Sequence, residues 1–273
     1  MSSIQSENRS VKRLSTRSVA LPAEHGSWSL VSEPILLGLL VAPSLGGLAL
    51  AIGAFALFLF NRPFKIYWTD RRRDRAYERT VVALRYATIY GIVAALGFGG
   101  GLALAGWQAF VPLALAAPLL ALFMVYDQRP GRYWQAELAA PVAFAAIVAS
   151  MAVAGGWEWV PALALWGFMA ARAMPAVLFI RARLRLDKGK VTGPGESAPI
   201  VMAVHTLALA VVIGLVLPGW LPATAVLAAT LLLARAGWGL SAWRWRSSVK
   251  ALGILETIIG LLVVLLVAAG YWF

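Results

Sequence analysis

The chain has 273 residues, 61% of them hydrophobic and only 13% charged, and its mean hydropathy is +0.78. Soluble domains carry about 25% charged residues, so the composition excludes an ordinary soluble enzyme and leaves room for many membrane spans of about 20 residues. The absence of cysteine excludes disulfides, thiolate metal sites and cysteine nucleophiles. The net charge of +12 does not indicate nucleic-acid binding, because the basic residues stand between apolar runs, where the positive-inside rule places them.

Residues 1–20 form a basic tail with Arg9, Lys12, Arg13 and Arg17. The tail is expected to be cytoplasmic, disordered or resting on lipid headgroups. No apolar core follows its charges directly, so no cleaved signal is read and the first span is expected to act as the membrane signal. Residues 21–273 read as a single transmembrane helical domain. Its spans are expected near 27–42, 45–60, 82–104, 109–126, 134–154, 161–180, 198–217, 221–241 and 251–271. The fold class is therefore an all-α polytopic membrane bundle with about nine transmembrane helices. Gly97, Gly99, Gly100 and Gly101 in the third span allow a close helix approach or a break.

The tail and the loops after the second, fourth, sixth and eighth spans hold 22 of the 24 Lys and Arg. Arg172 and Arg235 fall inside spans, and the turns near Pro43, Gly106, Gly155 and Pro218 hold none. This asymmetry predicts a cytoplasmic N-terminus and an external C-terminus. Trp107, Trp157, Trp159, Trp220 and Trp272 fall at the other ends of the spans, as an aromatic belt would.

The stretch 61–85 is the main polar connection. It holds Arg62, Lys65, Arg71, Arg72, Arg73, Arg75, Arg79 and Arg85 together with Asp70, Asp74 and Glu78. If 67–79 is one helix, Asp70, Asp74 and Glu78 share one stripe and Arg71, Arg75 and Arg79 the next. Asp70 and Asp74 can then share a cation, and the arginines can hold phosphate or carboxylate. The alternative is a solvated helix that grips anionic lipid heads. Within the spans, Glu33, Glu137, Arg172, His205, Arg235 and Glu256 are costly in lipid, so each is expected to face the bundle interior or a wet cavity. At least two of them are expected to line one pocket with Arg172, which the basic loops, with Arg181 and Arg183, extend to the cytoplasm. Internal salt bridges that orient helices, such as Glu33 or Glu256 with Arg172, are the competing reading. His25 stands where the first span begins and reads as a helix cap or as an acid, base or ligand.

The opening Pro22-Ala-Glu24-His25-Gly26-Ser27-Trp28 resembles the Pro-x-Glu-His-Gly-x-Trp opening of the YwiC-like bacterial membrane proteins. Tyr90-Gly91, the run Phe179-Ile180-Arg181-Ala182-Arg183-Leu184-Arg185, His205 and Leu252-Gly253-x-x-Glu256 also look like that family. The resemblance implies a bacterial inner membrane protein and names no activity. A second resemblance, in architecture, is to the UbiA-type intramembrane prenyltransferases, which also have nine helices and polar cytoplasmic loops after the second and sixth. In that superfamily aspartate-rich motifs on those loops bind magnesium and a prenyl diphosphate. Asp70-x-x-x-Asp74 fits half of the first motif, whose Asn and Asp partners are here Ile66 and Tyr67. The second loop has Asp187 alone, with Arg183 and Val191 where another carboxylate would stand.

Two functions follow as expectations. The first is a UbiA-like transferase, or a degenerate relative, binding a prenyl or lipid substrate by an anionic head, with at most one magnesium site at Asp70 and Asp74. The second is a non-enzymatic carrier or an accessory factor of a membrane complex. The expected partners are anionic membrane lipids. The substrate-binding candidates are His25, Glu33, Asp70, Asp74, Glu137, Arg172, Arg181, Arg183, His205, Arg235 and Glu256.

Overall fold

A computed structural model of the chain describes residues 16–22, 25–74, 77–127, 133–189 and 197–273. A short helix α1 (Thr16–Ala20) precedes nine longer ones: α2 (His25–Val41), α3 (Leu45–Arg72), α4 (Glu78–Ala105), α5 (Val111–Asp127), α6 (Trp134–Ala154), α7 (Trp159–Asp187), α8 (Ala198–Val216), α9 (Thr224–Gly239) and α10 (Val249–Trp272). A single 3-10 turn, Trp107–Phe110, leads into α5. Among the described residues there is no strand, as expected of an all-α membrane bundle. Seven helices are long and apolar enough to cross a membrane, while α9 and the apolar part of α2, Trp28–Val41, are shorter. Length alone therefore supports seven spans, against the nine expected.

Several helices outrun their apolar stretches. α3 continues to Arg72 and α7 to Asp187, although their apolar runs end near residues 60 and 180. Arg and Lys are good helix formers, so the backbone ladder continues past the point where hydropathy stops. Much of what reads as basic loop is thus helical extension.

The two ends of the bundle differ in chemistry. At one end Tyr271 Oη donates to the Trp220 carbonyl at 3.3 Å, Trp272 Nε1 donates to the Leu40 carbonyl at 3.2 Å, and the Trp157 and Tyr271 rings meet edge to face. The C-terminal end of α10, the α8–α9 turn, the end of α2 and the α6–α7 turn are gathered there. At the other end Arg181 pairs with Glu137 at 2.8 Å, Arg244 reaches Asp187 at 3.1 Å, and Arg62 donates to the Ser18 carbonyl at 2.8 Å. These ion pairs thus lie at one end of the bundle and the Trp157, Trp220, Tyr271 and Trp272 contacts at the other, although Trp243 and Trp245 flank Arg244 at the charged end.

α6 runs through the middle, with Ala145, Ala146, Ile147, Val148, Ala149, Ser150, Met151 and Ala152 all buried. Small side chains there let α2, α3, α5 and α7 pack around one helix. α3 and α4 approach still more closely. Gly97 faces the backbone of Gly53, such that an added Cβ would lie 2.6 Å from the Gly53 Cα. Gly101 faces Leu50 and Ala105 faces Gly46. The spacing of Gly97, Gly101 and Ala105 is the small-xxx-small pattern of close helix pairs, and α4 passes through its five glycines without a break.

Candidate functional site

Five of the six ionisable residues expected within spans, all but Glu137, converge on the half of the bundle built by α2, α7, α8, α9 and α10. Glu33 on α2 and Arg172 on α7 form a two-pronged pair, with Nε to Oε2 at 2.7 Å and Nη2 to Oε1 at 2.8 Å. Arg235 on α9 donates through Nη1 to Oε2 of Glu256 on α10 at 2.8 Å. Glu33, Arg172 and Glu256 are buried, with the Arg172 side chain 2% and that of Glu33 5% exposed, and Arg235 is partly buried. Two arginines and two glutamates leave the group neutral, which is how a charged layer persists in a low-dielectric interior.

α10 closes this layer because of one glycine. A methyl group on Gly260 would overlap the Glu33 carboxylate and lie 2.7 Å from Arg172 Nη2. His205 on α8 is buried, with Nδ1 2.8 Å from the Val201 carbonyl. It lines, with Arg172, Phe168, Pro175, Val212 and Leu232 among others, a cavity of about 10 Å³. That is space for about one water molecule. Among the described residues Arg172 is closed onto Glu33, and His205 is the one residue of the expected set that shares a cavity with it. The reason is geometric: Arg172 Nη2 donates to Glu33 Oε1 while Nε stands 2.7 Å from Oε2, and Gly260 lets α10 cover the pair.

The remaining candidates lie at the charged end. Arg183 is buried to 4% and uses its whole fork. Nε donates to Asp187 at 2.7 Å, Nη1 to the Gly239 carbonyl at 2.6 Å and Nη2 to the Trp245 carbonyl. Arg181 and Glu137 pair with each other and are partly exposed. Gly239 and Gly260 carry no signal in the sequence, and Asp187 reads there only as the lone aspartate of its loop. Arg183 and Asp187 stand four residues apart, and this i,i+4 charge spacing was the available signal.

The proposed continuous helix over 67–79 does not form. α3 ends at Arg72, Asp74 takes the left-handed conformation at φ 49°, and α4 starts at Glu78. Asp is among the few non-glycine residues that tolerate this conformation. Asp70, Asp74 and Glu78 consequently do not share a stripe. Asp70 turns across the connection instead. It accepts from Arg79 Nη2 at 2.7 Å, from Arg79 Nε at 3.0 Å and from Thr80 Oγ1 at 2.9 Å. Asp70 lies outside the apolar stretch of α3, and its hydrogen bonds from Arg79 hold the carboxyl below its ordinary value. Asp74 is exposed. Among the described residues no group of three or more His, Asp or Glu is placed to hold a metal ion. The His25 side chain, Glu24, Arg75 and residues 128–132 and 190–196 lie outside the described residues.

Comparison with known proteins bears on the first half of the chain. Residues 21–154 match the family model described as YwiC-like protein. This stretch contains the Pro22–Trp28 opening, Glu33, the Asp70 connection and the glycine-rich α4. The YwiC-like segment thus supplies one member of the charged layer, Glu33, while Arg172, His205, Arg235 and Glu256 come from the helices after it. No curated protein and no solved structure matches the chain.

Proposed function

We propose that this membrane protein is a non-enzymatic carrier or an accessory factor of a membrane complex, and that its charged layer is a neutral lock between helices. The closed Glu33–Arg172 pair under Gly260 carries the reading. A transferase of the UbiA type needs carboxylates free to hold magnesium against diphosphate. Asp70 is engaged by Arg79 and Thr80, and Asp187 by Arg183 and Arg244. Magnesium titration of the purified protein by calorimetry is expected to show weak binding or none. Tight binding of two ions per chain would restore the transferase reading.

One observation favours a lipid-binding variant of the same reading. A groove of about 260 Å³ between α3, α4, α5 and α6 is lined by Ala54, Phe98, Phe110, Ala116, Ala143 and Phe144 among other apolar residues. Its walls suit a hydrocarbon tail and offer nothing to a polar head. Mass identification of lipids that co-purify with the protein tests this variant.

The same reading places the charged end in the cytoplasm of a bacterial inner membrane, with its exposed arginines on anionic lipid heads and the C-terminus outside. Its support is the separation of 22 basic residues from the aromatic end. Because the chain is free of cysteine, single cysteines give a clean test. Cysteine at Arg72 or Lys188 is expected to resist impermeant maleimide added to intact cells. Labelling of either from outside would invert the topology.

A further inference from the structure

α9 is too short for its task. Its 16 residues rise about 24 Å at 1.5 Å per residue, whereas the hydrocarbon core is about 30 Å thick. The connection to α10, residues 241–248, contains no helix until Val249. A helix that stops early in a membrane leaves carbonyls with no water to accept from, and such backbone is tolerated only where protein groups satisfy it.

That is what surrounds this connection. The Gly239 and Trp245 carbonyls both accept from the buried Arg183 fork. The Trp238 carbonyl accepts from Ser241 Oγ at 2.8 Å, and the Ser241 carbonyl from Arg244 Nη1 at 3.3 Å. Arg244 is in turn fixed to Asp187, which Arg183 also holds. Four backbone acceptors are thus supplied by side chains, two of them from a guanidinium removed from solvent.

While the backbone is held down, the side chains on it point away. Trp243 is 88% exposed and Trp245 80% exposed. They alternate with Arg244, which is tied inward, and they are followed by the exposed Arg246 and Lys250. Indole rings favour the level of the headgroups, where an apolar body and a polar N–H are both satisfied. Lys and Arg favour the phosphates just above.

We infer that residues 241–248 form an interfacial foot: a non-helical segment clamped to the end of α7 by Arg183 and Asp187, with Trp243 and Trp245 inserted at the headgroup–acyl boundary of the bilayer. The occupant of this surface is lipid, with Arg246 and Lys250 on its phosphates. The foot completes the crossing that α9 leaves short. This assignment is independent of the carrier or accessory reading, and it holds whichever side of the membrane the charged end faces.

The test uses the full cysteine-free chain in phosphatidylcholine–phosphatidylglycerol vesicles. Nitroxides are attached singly to Trp243→Cys, Trp245→Cys and Ala242→Cys, with Lys188→Cys at the end of α7 as the aqueous reference. Collision with oxygen, which partitions into lipid, is compared with collision with a water-soluble nickel chelate. Labels at 243 and 245 are expected to gain oxygen access and lose nickel access relative to 188. Ala242→Cys keeps a native indole on either side of the clamp should a tryptophan variant fail to fold, and it is expected to show the same loss of nickel access. Nickel access at 242, 243 and 245 equal to that at 188 would overturn the assignment. So would spin–spin broadening that vanishes on dilution with unlabelled chain, since a second copy would then cover the surface.

Discussion

Arg172→Met is expected to lower stability by about 3–5 kcal/mol, because removing one partner of a buried pair leaves the other charge uncompensated. Glu33 is 4% exposed and lies under Gly260, so its carboxylate depends on the guanidinium that Arg172 brings to it. Arg235 is held through Nη1 to Glu256 on α10 rather than to Glu33. The double variant Glu33→Met with Arg172→Met is expected to recover most of the loss, since apolar replacement of a whole buried pair is often neutral or better. Thermal melting of the four proteins in one detergent measures the cycle. A helix lock requires strong coupling between the two substitutions. If Arg172→Met melts with wild type and the effects of the two substitutions simply add, the pair does not hold α2 to α7.

Much of this was legible in the residues, and the limits have physical causes. The gathering of basic residues on alternate connections was legible because it is a one-dimensional property: 22 basic residues there need no knowledge of packing. The need of Arg172 for an internal anion was legible for the same reason, since no guanidinium is cheap in lipid. Which anion it takes was not, because Glu33 and Glu256 are both on spans and only the helix arrangement separates them. Gly260 gave no signal at all in sequence. It reads as one more small residue in an apolar run, and its role exists only once α10 lies over Glu33. The extents of α3 and α7 were misjudged because hydropathy reports the membrane and not the hydrogen-bonded ladder. The stripe of Asp70, Asp74 and Glu78 failed because α3 ends at Arg72 and Asp74 is left-handed, while Arg79 and Thr80 reach back across the turn to Asp70.

The glycines of α4 give a graded prediction inside one helix. Gly97→Ala is expected to be the most damaging, with a loss of about 3 kcal/mol from overpacking. Its methyl would lie 2.6 Å from the Gly53 Cα, and backbone cannot step aside without moving α3. Gly101→Ala would meet Leu50 Cδ2 at 2.6 Å. Leu50 is fully buried, but a side chain can change rotamer where a backbone cannot, so the loss is expected to be smaller. Gly99→Ala meets nothing within 4 Å. In a helix interior alanine is favoured over glycine by up to about 1 kcal/mol, so this variant is expected to match or exceed wild type. Melting temperatures should therefore fall in the order Gly99→Ala, Gly101→Ala, Gly97→Ala. Equal melting of all three would mean that α3 and α4 are not in backbone contact in the membrane. A loss confined to Gly99→Ala would place the close face of α4 on the opposite side, against a partner outside this chain.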